Sequence, residues 1–142
     1  MPASDPVPDF QVLKARRVVA EPAALDALQA DHRPGPWLRL AADEMLIIDP
    51  PGGPTVAVAG PVTADPHAID VADAGWTGAW LDEEPLLNFL SWATTWPVGH
   101  QRPQLLQGMA AAVPVKVWLA ARGPALLLVP TPVAHELAER WR

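Results

Sequence analysis

Residues 113–120 read VPVKVWLA, and the alternation in that stretch constrains the fold more than any other feature of the chain. Successive side chains of a strand point to opposite faces. Val113, Val115, Val117 and Leu119 therefore share one side, and Lys116 and Trp118 the other. A strand patterned this way has an apolar face that must be covered. Residues 125–130, ALLLVP, form a short continuous apolar run, as expected of an interior strand. The strongest helical signal is EPLLNFLSWATTW, residues 84–96. In it Leu86, Phe89, Leu90 and Ala93 follow the i, i+3, i+4, i+7 pattern, with Leu87 beside them.

The rest of the chain is read around that frame. Residues 1–10, with Pro2, Pro6 and Pro8, are expected to be an extended arm. VLKARRVVA, 12–20, has the composition of a first strand. PAALDALQADH, 22–32, predicts a helix with Pro22 in its first turn and Ala24, Leu25 and Leu28 on one face, ended by HRPGP. WLRLAADEMLIID reads as a bent strand or a hairpin about Ala42 and Asp43, PPGGP as a turn, TVAVAG as a short strand and GPVTADPH as a loop. AIDVADAGWTGAWLD gives two strand-like pieces about Ala74 and Gly75. PVGHQRPQLLQGMAA reads as a loop with one helical turn at Gln104–Gln107. Thr131 is expected to cap a last helix, with Pro132 at its first position and Val133, Leu137 and Trp141 along its inner stripe.

The order is β-α-β-β-α-β-β-α. It predicts an α+β fold with a mostly antiparallel sheet and helices packed on one face, in a single domain over residues 11–142. The near-even spacing of His32, His67, His100 and His135 is not a repeat, because their flanking residues share nothing.

Composition narrows the function classes. Of 142 residues half are hydrophobic, and the net charge of −6 argues against nucleic acid and against an anionic membrane surface. No apolar run approaches the roughly twenty residues of a membrane helix. MPASDPVPDF lacks the pattern of a signal peptide. With no cysteine there is neither a disulfide nor thiol chemistry, and a cytoplasmic location is expected.

No catalytic, cofactor-binding or metal-ligating set emerges. Asp82, Glu83 and Glu84 precede Pro85 and the helix, where carboxylates suit the orphan N–H groups and the helix dipole. The competing reading of these acids is a general acid–base pair. Asp70 and Asp73 flank a turn, a common setting for Asp. His135 and Glu136 are adjacent and face apart, unlike metal ligands on a helix. Ser4 and Ser91 are the only serines, and no Gly-x-Ser-x-Gly occurs.

The tryptophans carry more information. Trp92 lies with Asn88, Ser91 and Thr95, away from the Leu/Phe face of its helix. Trp76 and Trp80 share one side of a strand, and Trp118 shares its face with Lys116. Aromatics are enriched at the buried centres of interfaces, so Trp92, Trp96 and Trp118 are the candidate partner-interface residues. A stacking platform for a flat ligand such as a pterin is the alternative use of an outward tryptophan.

DVAD (70–73), then a Trp/Gly strand, then LDEEPLLNFLSWATTWPV (81–98) resembles the N-terminal part of the aminomethyltransferase folate-binding fold. LRLAADEMLII (38–48) and AAVPVKVWLAARGPALLLVPTPVAHELAERW (111–141) extend the likeness to the heterotetrameric sarcosine oxidase gamma subunit family, over about Pro36 to Trp141. The chain departs from the folate enzymes at Ala72, where they have Ser, and in lacking the His-Met that follows. The resemblance implies a non-catalytic accessory subunit of a hetero-oligomer that oxidatively demethylates sarcosine or a similar N-methyl amino acid. In that family FAD, FMN, NAD and tetrahydrofolate are held by the larger flavoprotein and folate-binding subunits. The alternatives are a minimal folate- or pterin-binding domain, with Asp70 or Asp73 holding the ligand amine, and an unrelated small scaffold protein.

Overall fold

The computed structural model of the chain describes residues 6–30, 36–49 and 65–141. The expected PPGGP turn and TVAVAG strand lie outside the described residues, as do residues 1–5 of the arm and most of HRPGP. The fold is α+β, with two antiparallel sheets and three helices. It divides into two compact units. Unit 1 combines Met1–Val12 with Gly75–Arg142, and unit 2 is Leu13–Ala74.

Unit 1 is built on a five-stranded sheet, in the order β1 (Gln11–Val12), β6 (Trp76–Leu81), β9 (Ala125–Pro130), β8 (Val113–Leu119), β7 (Gln104–Ala110). The apolar face expected of β8 is present: Val113, Val115, Val117 and Leu119 are buried with Ala125, Leu127 and Val129 of β9. Two helices cover it, α2 (Glu83–Ala93) through Leu86, Phe89 and Leu90, and α3 (Ala134–Arg140) through Leu137, with Trp141 just beyond. Both helices lie on this one face. Phe10 of the expected arm also packs against the cluster.

Two local expectations are corrected here. Residues 104–110, read as a loop with a helical turn, form β7, paired in register with all of β8. The turn joining them is Ala111–Ala112, both at positive φ (49° and 61°), a conformation that glycine or asparagine adopts more readily. Tertiary bonds hold it. The Ala111 N–H donates to the Ala93 carbonyl at 2.9 Å, and Arg140 donates to the Ala111 carbonyl at 2.7 Å. Thr131 does not cap the last helix. It opens a 3-10 turn, Thr131–Val133, and its hydroxyl meets that of Thr77 at 2.9 Å, while Val133 stands at the cap position of α3.

Unit 2 has a four-stranded sheet in the order β3 (Trp37–Ala41), β4 (Glu44–Ile48), β2 (Ala15–Val19), β5 (Ile69–Asp73). β3 and β4 are the hairpin about Ala42 and Asp43, with a bulge between Arg39 and Ala41. α1 (Pro22–Ala30) packs Leu25 and Leu28 on Val18, Met45 and Ile47. Asp65 fixes its start: one carboxylate oxygen accepts the Glu21 N–H and the other the His67 N–H, both at 2.9 Å. Those two bonds, the Glu21 one foremost, hold the Asp65 carboxyl below its ordinary pKa. One antiparallel sheet was the expectation; the strands instead form two, because β5 and β6, nearly contiguous in sequence, join different ones.

Candidate interaction surface

The tryptophans, rather than the acids, define the candidate site. Trp92 is 47% exposed, and no other tryptophan ranks among the exposed large hydrophobics. It sits on the outer side of α2 because Leu86, Phe89 and Leu90 turn inward. Its ring meets Phe89 edge-on, with centroids 5.1 Å apart and planes at 86°. Phe89 in turn stacks on Trp141 at 4.4 Å and 13°. An aromatic row therefore runs from the surface into the core, with the exposed ring at its outer end.

Trp96 is placed differently. The helix ends at Ala93, so the four-residue spacing from Trp92 does not carry over, and Trp96 folds back, half-buried, against the core cluster. It lies over Gly108 of β7. A Cβ at residue 108 would come within 2.6 Å of the Trp96 ring. That contact explains the glycine at this position of the strand: a side chain there would displace the indole.

Trp118 lies on the opposite face of the sheet from α2. Cross-strand register places it beside Leu126 of β9, which is flanked in turn by Trp80 of β6. The next row holds Lys116 beside Leu128, and the Lys116 ammonium stands 5.4 Å from the centre of the Trp76 ring. Lys116 also donates to the Gln107 amide oxygen at 2.7 Å. Trp76, Trp80 and Trp118 thus share one sheet face. Sequence placed Trp76 with Trp80 and Trp118 with Lys116, but only the strand order β6-β9-β8 joins the two sets. The structure therefore does not gather Trp92, Trp96 and Trp118 into one patch.

The indole N–H groups of Trp80 and Trp141 in unit 1, and of Trp37 in unit 2, are buried without a hydrogen-bond partner among the described residues. Such groups carry a desolvation cost.

The acids are mostly engaged. Asp70 and Asp73 lie within β5 rather than flanking a turn. Arg16 of β2 binds Asp70, with Nε at 3.0 Å from Oδ1 and Nη2 on the second oxygen. Arg17 reaches Asp73 through Nε at 3.2 Å and Nη2 at 3.1 Å, and Glu44 through Nη1. Glu83 accepts the Arg102 Nε at 2.6 Å. Asp82 is the N-cap residue of α2, but its side chain makes no capping bond; Glu83 and Glu84 stand in the first turn, where the dipole favours carboxylates. Among the described residues no three His, Cys, Asp or Glu side chains are grouped as a metal site would require, and no helix is long and apolar enough to cross a membrane.

No family model matches the chain, and neither a curated protein nor a solved structure does.

Proposed function

We propose that the chain is a non-catalytic, gamma-type accessory subunit of a multisubunit flavin- and folate-linked oxidoreductase that demethylates sarcosine or a similar N-methyl amino acid. On this reading FAD, FMN, NAD and tetrahydrofolate reside on partner subunits, and the fold is a relative of the N-terminal part of the aminomethyltransferase folate-binding fold. The observation that supports it is Trp92. A large aromatic side chain is half-exposed on the polar side of α2, its ring edge-on to Phe89, which stacks on Trp141. An exposed indole that also packs on its own core is an anchor suited to a partner's pocket.

The test is purification of the tagged chain from its native host. A flavin-bearing complex is expected to come with it, and Trp92→Ala is expected to weaken assembly by about 2 kcal/mol or more, as for an interface hot spot. Recovery of the chain alone, free of flavin absorbance, ends the proposal. The pterin-binding alternative has less support, since Asp70 and Asp73 already pair with Arg16 and Arg17. Quenching of tryptophan fluorescence by tetrahydrofolate would revive it.

A further inference from the structure

Among the described residues β7 is an open edge of the unit 1 sheet, and its sequence does not guard it. The opposite edge strand, β1, is two residues long, whereas β7 runs for seven, QLLQGMA, with no charge and no proline. It pairs with β8 through all seven residues without a bulge, and Gln107, Gly108 and Met109 are exposed. Edge strands are ordinarily protected by charges, prolines, bulges or shortness. Here only the opposite edge has such a device.

The hairpin fixes which groups face outward. A two-residue turn at Ala111–Ala112 makes Ala110 and Val113 the closing hydrogen-bonded pair. Counting back by twos, Gly108, Leu106 and Gln104 also bond to β8. Leu105, Gln107 and Met109 turn their N–H and C=O groups to the open side. Pro114 fits this alternation, since it stands opposite Met109, where β7 asks β8 for no N–H.

We propose that two copies of the chain pair antiparallel through β7, about a twofold axis at Gln107. In that register Gln107 faces Gln107 of the second copy, Leu105 faces Met109, Leu106 faces Gly108 and Gln104 faces Ala110. The outward groups of residues 105, 107 and 109 then meet one another, giving about six main-chain hydrogen bonds. The side chains agree with the backbone. Leu105 packs on Met109 twice on the Trp118 face, and on the other face Leu106 comes beside Gly108, toward the Trp96 ring that lies over that glycine. A strand whose outward hydrogen-bonding groups map onto themselves on reversal, with Leu105 and Met109 exchanging places, is matched by its own copy, as a twofold interface requires. This reading is independent of the role given to Trp92.

The absence of cysteine makes a direct test possible. Across the axis the two Cα atoms of residue 107 would lie about 5.5 Å apart, within the range a disulfide spans. Gln107→Cys is expected to oxidise to a covalent dimer with an unchanged far-UV circular dichroism spectrum. Ser91→Cys, exposed on α2, is expected to stay largely monomeric under the same conditions. In sedimentation equilibrium the unmodified chain is expected to dimerise reversibly. Gln107→Lys and Gln107→Glu, each setting like charges face to face, are expected to raise the dissociation constant at least tenfold, and an equimolar mixture to recover the dimer. A chain that stays monomeric to millimolar concentration overturns the proposal. So does an unchanged dissociation constant in a folded Gln107→Lys variant, or cross-linking of Gln107→Cys no faster than that of Ser91→Cys. Should a charged variant fail to fold, the thiol pair decides alone.

Discussion

The two units hold their sheets together by different means. Among the described residues unit 1 gathers thirteen buried side chains into one cluster, ending in the stacked rings of Phe89 and Trp141. The corresponding cluster of unit 2 has six. What unit 2 adds is charge across its strands: Arg16 on Asp70 and Arg17 on both Asp73 and Glu44, with Arg39 on Asp26 and the Asp65 carboxylate at the start of α1, whereas the ion pairs of unit 1, Arg102 with Glu83 and Arg140 with Glu136, involve its helices. β5 shows the contrast most sharply. Ile69 and Val71 are exposed, so burial does little for this strand beyond its ladder to β2, and the two arginines of β2 supply the side-chain contacts. Apolar burial is insensitive to salt and to acid, whereas partly exposed ion pairs respond to both. The units are therefore expected to differ in response to conditions more than in architecture.

The largest effect expected is from Phe89→Ala in unit 1, which removes the ring between Trp92 and Trp141 and leaves a cavity. A loss of about 3–5 kcal/mol in urea denaturation follows from such truncations, and it should be the same at low and high salt. Gly108→Ala should cost about 1–3 kcal/mol, because the new methyl group meets the Trp96 ring. Pairing it with Trp96→Leu should recover part of that loss, and strict additivity would show that the contact is not the cause.

Unit 2 should answer to charge. Arg17→Met is expected to cost about 1 kcal/mol or less, since the pairs are partly exposed. Its signature is a loss of hydrogen-exchange protection in β2 and β5 that about 1 M salt reproduces in the unsubstituted chain. Equal salt sensitivity in β8 and β9 would erase the proposed distinction. The smallest and most local effect concerns Asp65. Its carboxyl is held below the ordinary pKa, so its stabilisation is fully present above the unfolded value and is lost as pH falls through the folded value. Protection at the first turn of α1 should fade only at pH below the ordinary carboxylate range. In Asp65→Asn that acid step should vanish.

What could be read in the sequence follows from where each signal resides. α2 and β8 carry their periodicity within the segment, β9 is a continuous apolar run, and all three were legible directly; the stretch about Ala42 and Asp43 read equally as a bent strand or a hairpin, and it is the hairpin. β7 was not. QLLQGMA has no β-branched residue, and its turn, Ala111–Ala112, lacks the glycine or asparagine that marks a two-residue hairpin. Its strand state comes from the partner β8 and from the bonds that Ala93 and Arg140 make to the turn. Asp70 and Asp73 read as turn residues because the arginines that place them in a strand stand 54 and 56 positions away. The outward position of Trp92 was legible from helical spacing. That of Trp96 was not, since the helix stops short of it and the residue that receives the ring, Gly108, lies in the strand that sequence missed.

The strand order of unit 1 also bears on how the chain is made. β1 and β6 are hydrogen-bonded neighbours, yet the whole of Leu13–Ala74 is synthesised between them. β6 then waits for β9, its long neighbour, which emerges only after β7 and β8. Growing from the ribosome, the chain therefore emits the four described strands of unit 2 while unit 1 has only β1 to show, and the central strand of unit 1 arrives last of its five. The unit whose described residues form the smaller buried cluster has the first opportunity to fold. Among the described residues the larger buried cluster is the late one, complete only when Ala125–Pro130 takes its place between β6 and β8.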